Sequence, residues 1–305
     1  MSVLFDAPGP RARRLSLIVS IVVGVLLAAG AAWLVVSLAA PRVTAAGAEQ
    51  PGLLDPTRWD VFLDVAVWRR FGAALGNTLA MAGVAAVLAV VVGVLFSFLR
   101  TARSRWIRVP SSVVLEFLRG MPVLLMMLFI LLVFATGAYG AGVLALGLYN
   151  GALIGEILRS GIAALPRGQR EAGLTIGLTP LATRFRIEFP QAARNMLPII
   201  IAQLVVLLKD TALAYVIAYP ELLQAVRQLS NFFGNRYFFS FFLVVLGIYL
   251  VLNLTLSWIA RVVARRTGPG AGRPRIPRRG VHPEGDIDMS GVPDAGMGSG
   301  GVGAR

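Results

Sequence analysis

Lys209 and Asp210 stand side by side in the run Val205-Val206-Leu207-Leu208-Lys209-Asp210-Thr211-Ala212-Leu213, and Lys209 is the only lysine in the chain. At the centre of a membrane-spanning helix each such charge costs roughly 2.5–3.5 kcal/mol, against gains of about 0.3–0.6 kcal/mol per Leu, Ile, Val or Phe. Charges kept at that cost usually face a cavity or a partner. Sequence neighbours lie about 100° apart around a helix, so at least one of the two needs a partner on another helix. A purely structural interhelical pair fits these residues as well as a role in transport does. Asn77 and Thr78, Glu116 and Arg119, and Tyr149, Asn150 and Glu156 also lie in or beside apolar stretches, and Gln203 precedes Lys209 by nearly two turns. Glu156 and Arg159 are spaced i,i+3 and can pair locally, and polar residues at helix contacts often act only as packing glue.

Composition removes most catalytic chemistries. Cysteine is absent, which excludes disulfides, iron–sulfur sites and thiol catalysis. The one histidine, His282, lies in a Gly/Pro-rich tail, away from any metal or triad arrangement. No Gly-Lys-Ser/Thr tripeptide exists, so a Walker A loop is missing. No catalytic residue, metal or cofactor is expected, and any ATP-driven step needs a separate ATPase chain.

A second cluster lies at 164–190, a polar, charged stretch between two apolar runs. Gly177 suits the left-handed position that ends a first short helix, Thr179 and Pro180 suit the N-cap and N1 of a second, and Pro190 opens the next apolar run. A connection that folds its own helices, with small residues at Gly173 and Gly177 for close approach, is built to dock a partner.

The elements that carry these residues are membrane helices. The 305 residues are 57% hydrophobic with a net charge of +14, and the mean hydropathy is +0.75. That excludes an ordinary soluble domain. The arginines sit in short clusters beside apolar runs and not on one soluble face, which argues against nucleic acid. Runs long enough to cross about 30 Å occur at 15–40, 72–99, 113–137, 139–163, 191–219 and 238–263, predicting six transmembrane helices. Arg11, Arg13 and Arg14, then Arg100 to Arg108, then Arg167 to Arg194, then Arg261 to Arg266 all fall on one side under alternate crossing. The positive-inside rule places both termini and the 164–190 loop in the cytoplasm. The loop at 41–71, with Arg42, Arg58, Arg69 and Arg70, runs mildly against this. Segment 1–14 is then a cytoplasmic N-terminus and 15–40 a first helix, retained in preference to cleaved as a signal peptide. Segment 264–305 is a disordered cytoplasmic tail. Pro220 to Tyr237 reads as an outer amphipathic segment, with Phe232, Phe233, Tyr237, Phe238 and Phe239 as an aromatic belt.

Glu171, Ala172, Gly177, Ile187 and Pro190 match, in register, the E-A-A-x-x-x-G-x9-I-x-L-P signature of importer-type ABC permeases, with Gly173 and Phe189 as substitutions. The chain resembles more narrowly the permeases of polar amino acid ABC importers over roughly Asn77 to Ala260. Glu116 through Pro122 resembles the family's E-x-x-R-G-x-P, and Glu156 through Ile162 its E-x-x-R-x-G-I. Gly168 through Ala172, Pro190-Gln191-Ala192 and Lys209 through Leu213 resemble three further motifs. Ala212 replaces the usual Ser, and Tyr149-Asn150 with Gly155 departs from the usual A-Y-x-A-E; both resemble the glutamate-type branch of high-GC Gram-positive bacteria.

The resemblance implies an all-α membrane protein of the bacterial cell membrane, its last five helices (72–263) forming an importer-type ABC permease core. The partners it implies are a cytoplasmic ATPase dimer, a second permease (paralogue or self), and an extracellular solute-binding protein. The 164–190 loop becomes the coupling segment, through Glu171, Ala172, Gly173, Gly177, Ile187 and Pro190. The expected solute path is Asn77, Arg119, Asn150, Glu156, Lys209 and Asp210, with Lys209 and Arg119 offering positive potential and the asparagines hydrogen bonds. The implied solute is glutamate, with aspartate or glutamine next. An ion-coupled secondary transporter is the competing class, and it predicts inverted repeats and broken helices, which the sequence does not display.

Overall fold

The computed structural model describes residues 9–267, apart from 44–46, 48 and 103. Its helices in chain order are α1 (Pro10–Ala39), α2 (Val65–Leu99), α3 (Arg105–Gly120), α4 (Val123–Phe134), α5 (Gly137–Ala163), α6 (Arg167–Thr175), α7 (Pro180–Thr183), α8 (Phe189–Asp210), α9 (Leu222–Phe233) and α10 (Phe238–Thr267). Two-residue strands, Arg42–Val43 and Glu49–Gln50, pair antiparallel between α1 and α2. Among the described residues five helices are long and apolar enough to cross a bilayer, or six if the bent pair α3–α4 counts as one span.

The third expected span, 113–137, is therefore not a single helix. Pro122 has no N–H and steers the residue before it out of helical geometry; Met121 lies at φ −84 and ψ 127. The two halves meet at 105°. Hydropathy alone sees one apolar run there because it carries no information about direction. The span expected at 191–219 corresponds to an apolar stretch over Pro180–Tyr215 that is not α-helical to its end: α8 stops at Asp210, a 3₁₀ turn follows over Thr211–Tyr215, and Ala218 turns the chain at φ 58. Lys209 and Asp210 thus sit at the end of α8.

The segment 41–71 is more ordered than a plain loop. Asp64 caps α2 by accepting from Ala66 N–H at 2.8 Å, so the helix begins at Val65 and not near residue 72. Arg58, one of the charges that ran against the orientation, is buried. Its guanidinium donates to the Pro51 carbonyl at 2.9 Å and the Arg236 carbonyl at 2.6 Å, clamping the segment to the turn before α10. Phe62 and Phe71 meet Phe241 edge-on at 5.6 and 6.1 Å, and Phe233 and Tyr237 join this cluster, so only part of the expected aromatic belt faces outward. α1 is apolar all round and buries none of its spanning window, as suits a helix surrounded by lipid.

The tightest packing lies between α2 and α5. Lipid is as apolar as leucine, so helices associate there through close van der Waals fit at small residues. A Cβ on Gly151 would lie 2.7 Å from Cβ and Cγ1 of Val92 and 3.1 Å from the Ala89 carbonyl, and one on Gly93 would lie 2.6 Å from Ile154 Cγ2. Val92 is β-branched and stiff at χ1, so it cannot swing aside. Gly151→Leu is expected to destabilise by roughly 1–3 kcal/mol, read as a lower thermal midpoint in detergent. Gly76→Ala, whose Cβ meets open space, should leave the midpoint unchanged or raise it.

Candidate functional site

The loop at 164–190 folds as α6, α7 and a widened π turn over Arg184–Glu188, closed by Phe189 N–H on the Arg184 carbonyl. Gly177 stands at φ 84. Its N–H donates to the Leu174 carbonyl at 3.0 Å and that of Leu178 to the Gly173 carbonyl at 3.1 Å, the double closure of a Schellman end. Thr179 caps α7 by accepting from Ala182 N–H at 3.2 Å, and Pro180 is the first helical residue. These positions are the ones the sequence predicts. Gly173 differs: a Cβ there would lie 2.5 Å from Thr183 Cγ2 and 3.0 Å from Ile187 Cδ1. The small residue expected to admit a partner instead lets α6 pack on its own turn. Glu171, Ala172 and Pro190 are exposed, and Ile187 is half-buried.

This segment is fastened to the ends of two spans. Phe98 at the end of α2 stacks on Phe185 with centroids 4.0 Å apart and planes at 9°, and meets Phe189 at 5.0 Å. Arg184 donates to the Thr101 carbonyl at 2.6 Å, and Gln191 on α8 donates to Gln169 on α6 at 3.0 Å. Phe98, Thr101 and Phe185 belong to no motif in the sequence, and only their partners in the fold distinguish them.

Arg119 and Glu156, expected on the solute path, stand in an ion network centred on Arg100. Arg100 pairs with Glu156, lies 3.5 Å from Glu116, and donates to Ser112 Oγ at 3.2 Å. Arg119 reaches Glu116 at 3.5 Å, and Arg159 Nε donates to Glu156 at 3.0 Å. The network joins α2, α3 and α5. Asn150 is buried; it donates to the Leu146 carbonyl and accepts from Gln203, both at 2.9 Å, which links α5 to α8. Asn77 donates to the Pro220 carbonyl at 2.9 Å, and Tyr219 donates to the Asn77 carbonyl at 3.1 Å, so this pair holds the turn beyond α8.

That turn leads to Glu221, which the sequence reading did not single out. Its carboxylate accepts from the backbone N–H groups of Leu223 and Gln224 at 2.8 and 2.7 Å and from Tyr249 at 2.9 Å. Burial pushes the Glu221 carboxyl above the usual carboxylate range, while these three donors pull it back.

Lys209 is exposed and Asp210 half-buried, and among the described residues neither makes a hydrogen bond or an ion pair. Lys209 lies between α8 and α10 at the meeting of two shallow clefts. Ala212, Leu223, Tyr249 and Asn253 line one, of 270 Å³, and Pro198, Ala202, Ser257 and Arg261 line the other, of 330 Å³. Its ammonium is thus free to meet a solute, water or another subunit. The structure gathers the other candidates into contacts within this chain and leaves this pair open.

A bundle of long apolar helices with a folded, arginine-rich connection at the end of α5 defines a multi-pass membrane protein. The chain belongs to the family of binding-protein-dependent transport system inner membrane components, whose pattern matches residues 85–269. Within it, the chain is a polar amino acid ABC importer permease, a multi-pass membrane protein of a bacterial transporter. It is 36% identical over 234 residues to the glutamate transport system permease protein GluD of Corynebacterium glutamicum, covering 74% of this chain and 85% of that one. It is 35% identical over 192 residues to the probable glutamine ABC transporter permease protein GlnP of Bacillus subtilis, covering 60% and 87%. Its fold is similar to the crystal structure of an amino acid ABC transporter with histidines, at 29% identity and a TM-score of 0.62, covering 68% of this chain and 98% of that one. Permeases of this family are generally non-catalytic and imply ATPase and binding-protein partners.

Gly173→Val is expected to loosen α6 from its turn by roughly 1–3 kcal/mol, raising amide hydrogen exchange across residues 169–188. Ala172→Val, on the exposed face, should leave exchange unchanged.

Proposed function

We propose that this chain is the membrane subunit of an ATP-driven importer of glutamate, with aspartate and glutamine as the nearest alternatives, and that its 164–190 loop is where a separate ATPase delivers force. The observation that carries the solute is the 36% identity to a permease named for glutamate transport. Relatives named for glutamine, cystine and arginine are the rivals. An exposed cation at Lys209 suits an acidic solute, and Asp210 beside it favours a group that also carries an amine.

In this reading both termini and the loop are cytoplasmic, supported by the arginine clusters at the ends of α2, α5 and α10. Glu171 and Ala172 offer the ATPase an exposed surface, Gly173 and Gly177 give α6 its shape, and Ile187 and Pro190 carry the turn into α8. ATP binding closes the ATPase pair and pushes the loop. Phe185 and Arg184 pass that displacement to α2, and Pro190 passes it to α8, on which Lys209 sits. Asn77, Arg119, Asn150 and Glu156 keep the helices in register beside the path. A second permease, identical or paralogous, completes the pore, and an extracellular binding protein delivers the solute.

Uptake of radiolabelled glutamate into vesicles loaded with ATP tests this. Glu171→Lys is expected to assemble with the ATPase in the membrane yet lose uptake. Lys209→Met is expected to lower glutamate uptake more than glutamine uptake. Full glutamate uptake by an assembled Lys209→Met transporter would remove Lys209 from the path.

A further inference from the structure

α6 presents three faces. Gly173 packs inward on Thr183 of α7 and Ile187 of the π turn, and the exposed Gln169 accepts from Gln191 on α8. Gly168, Ala172, Thr175 and Ile176 are open, Ile176 being 74% exposed. The third face, Arg167, Arg170, Glu171 and Leu174 at i, i+3, i+4 and i+7, turns back toward the protein and lines a cleft of 520 Å³.

The opposite wall of this cleft is made where two spans end: Thr101 follows α2, and Ile162 and Ala163 close α5. The cleft is therefore bounded by the ends of two helices long and apolar enough to cross a bilayer. Four arginines and two glutamates line it. Arg159 is engaged by Glu156 and Arg184 by Glu188, whereas Arg167 and Arg170 have no hydrogen bond or ion pair among the described residues. The Nε of Arg184, though 3.5 Å from Glu188, is buried without a hydrogen-bond partner. Beside these donors Ile162, Ala163 and Leu174 supply an apolar edge.

We propose that this cleft binds the phosphodiester headgroup of an anionic phospholipid, with Arg167 and Arg170 on the phosphate and the glycerol end against Ile162 and Leu174. Guanidinium forks match phosphate oxygens, and basic pockets between helix ends on the cytoplasmic side are suited to anionic headgroups. The open face of α6, carrying Ala172 and Ile176, remains free for the ATPase, with Glu171 at the border between that face and the cleft; this assignment rests on the function proposed above. Such a lipid would hold the coupling segment against the membrane surface as it moves.

The test uses the transporter assembled with its ATPase in nanodiscs, measuring association of spin-labelled phosphatidylglycerol against spin-labelled phosphatidylcholine. The wild type should prefer phosphatidylglycerol. Arg167→Gln and Arg170→Gln should each reduce that preference about fivefold. The corresponding lysine variants should restore much of it, and Arg227→Gln, the same charge change at a distant site, should leave it intact. Unchanged preference in the double Gln variant would overturn the proposal. So would displacement of the labelled lipid by inorganic phosphate at matched concentration, which would make this a site for soluble anions. Preference seen in the lone chain but lost once the ATPase is bound would also overturn it, because the partner would then fill the cleft.

Discussion

The 164–190 segment has almost no core of its own, and its attachment to the helix bundle depends on Phe98. The ring of Phe98 lies flat on Phe185 at 4.0 Å and against Phe189 at 5.0 Å, while Arg184 reaches past it to the Thr101 carbonyl. One aromatic residue at the end of α2 thereby grips both the π turn and the start of α8. If the loop has the coupling role proposed above, its contacts offer a displacement of α6 two exits, α2 and α8. The Schellman end at Gly177 and the cap at Thr179 satisfy backbone groups that an exposed loop would otherwise leave to water.

From that attachment the contacts run into the bundle by close fit more than by charge. The α2–α5 seam leaves no room for a side chain at Gly93 or Gly151, so α5 follows α2. Asn150 and Gln203 tie α5 to α8 with a part-buried hydrogen bond. The Arg100 network joins α2, α3 and α5, but Glu116 is 57% exposed, and exposed pairs are worth little individually. It orients α3 more than it stabilises the bundle. Lys209, at the far end of α8, is exposed, and among the described residues its side chain makes no hydrogen bond or salt bridge.

Local signals proved legible and distant ones did not. Gly177, Thr179 and Pro180 are short-range instructions, since each acts on backbone within a few residues, and the sequence is enough to place them. The matching motif around Glu171 likewise identified the family before any fold was at hand. Phe98 and Arg100 gained their importance only from partners far along the chain, and nothing in their neighbourhood distinguishes them from other residues at the end of an apolar run. Pro122 was a legible signal that hydropathy overrode, because an apolar average across 113–137 outweighs a single residue that redirects the chain. Lys209 and Asp210 sit within an apolar run and yet end α8, because the apolar residues after them belong to a tight turn, not to further helix.

The most direct test of the grip at Phe98 is a double-mutant cycle on ATP-driven uptake by the assembled transporter, using Phe98→Ala, Phe185→Ala and the pair. If the two rings act as one joint, the pair should be scarcely worse than the worse single variant, with a coupling of about 0.5–1.5 kcal/mol. Strictly additive losses would contradict this account, because force would then reach α2 by some other route.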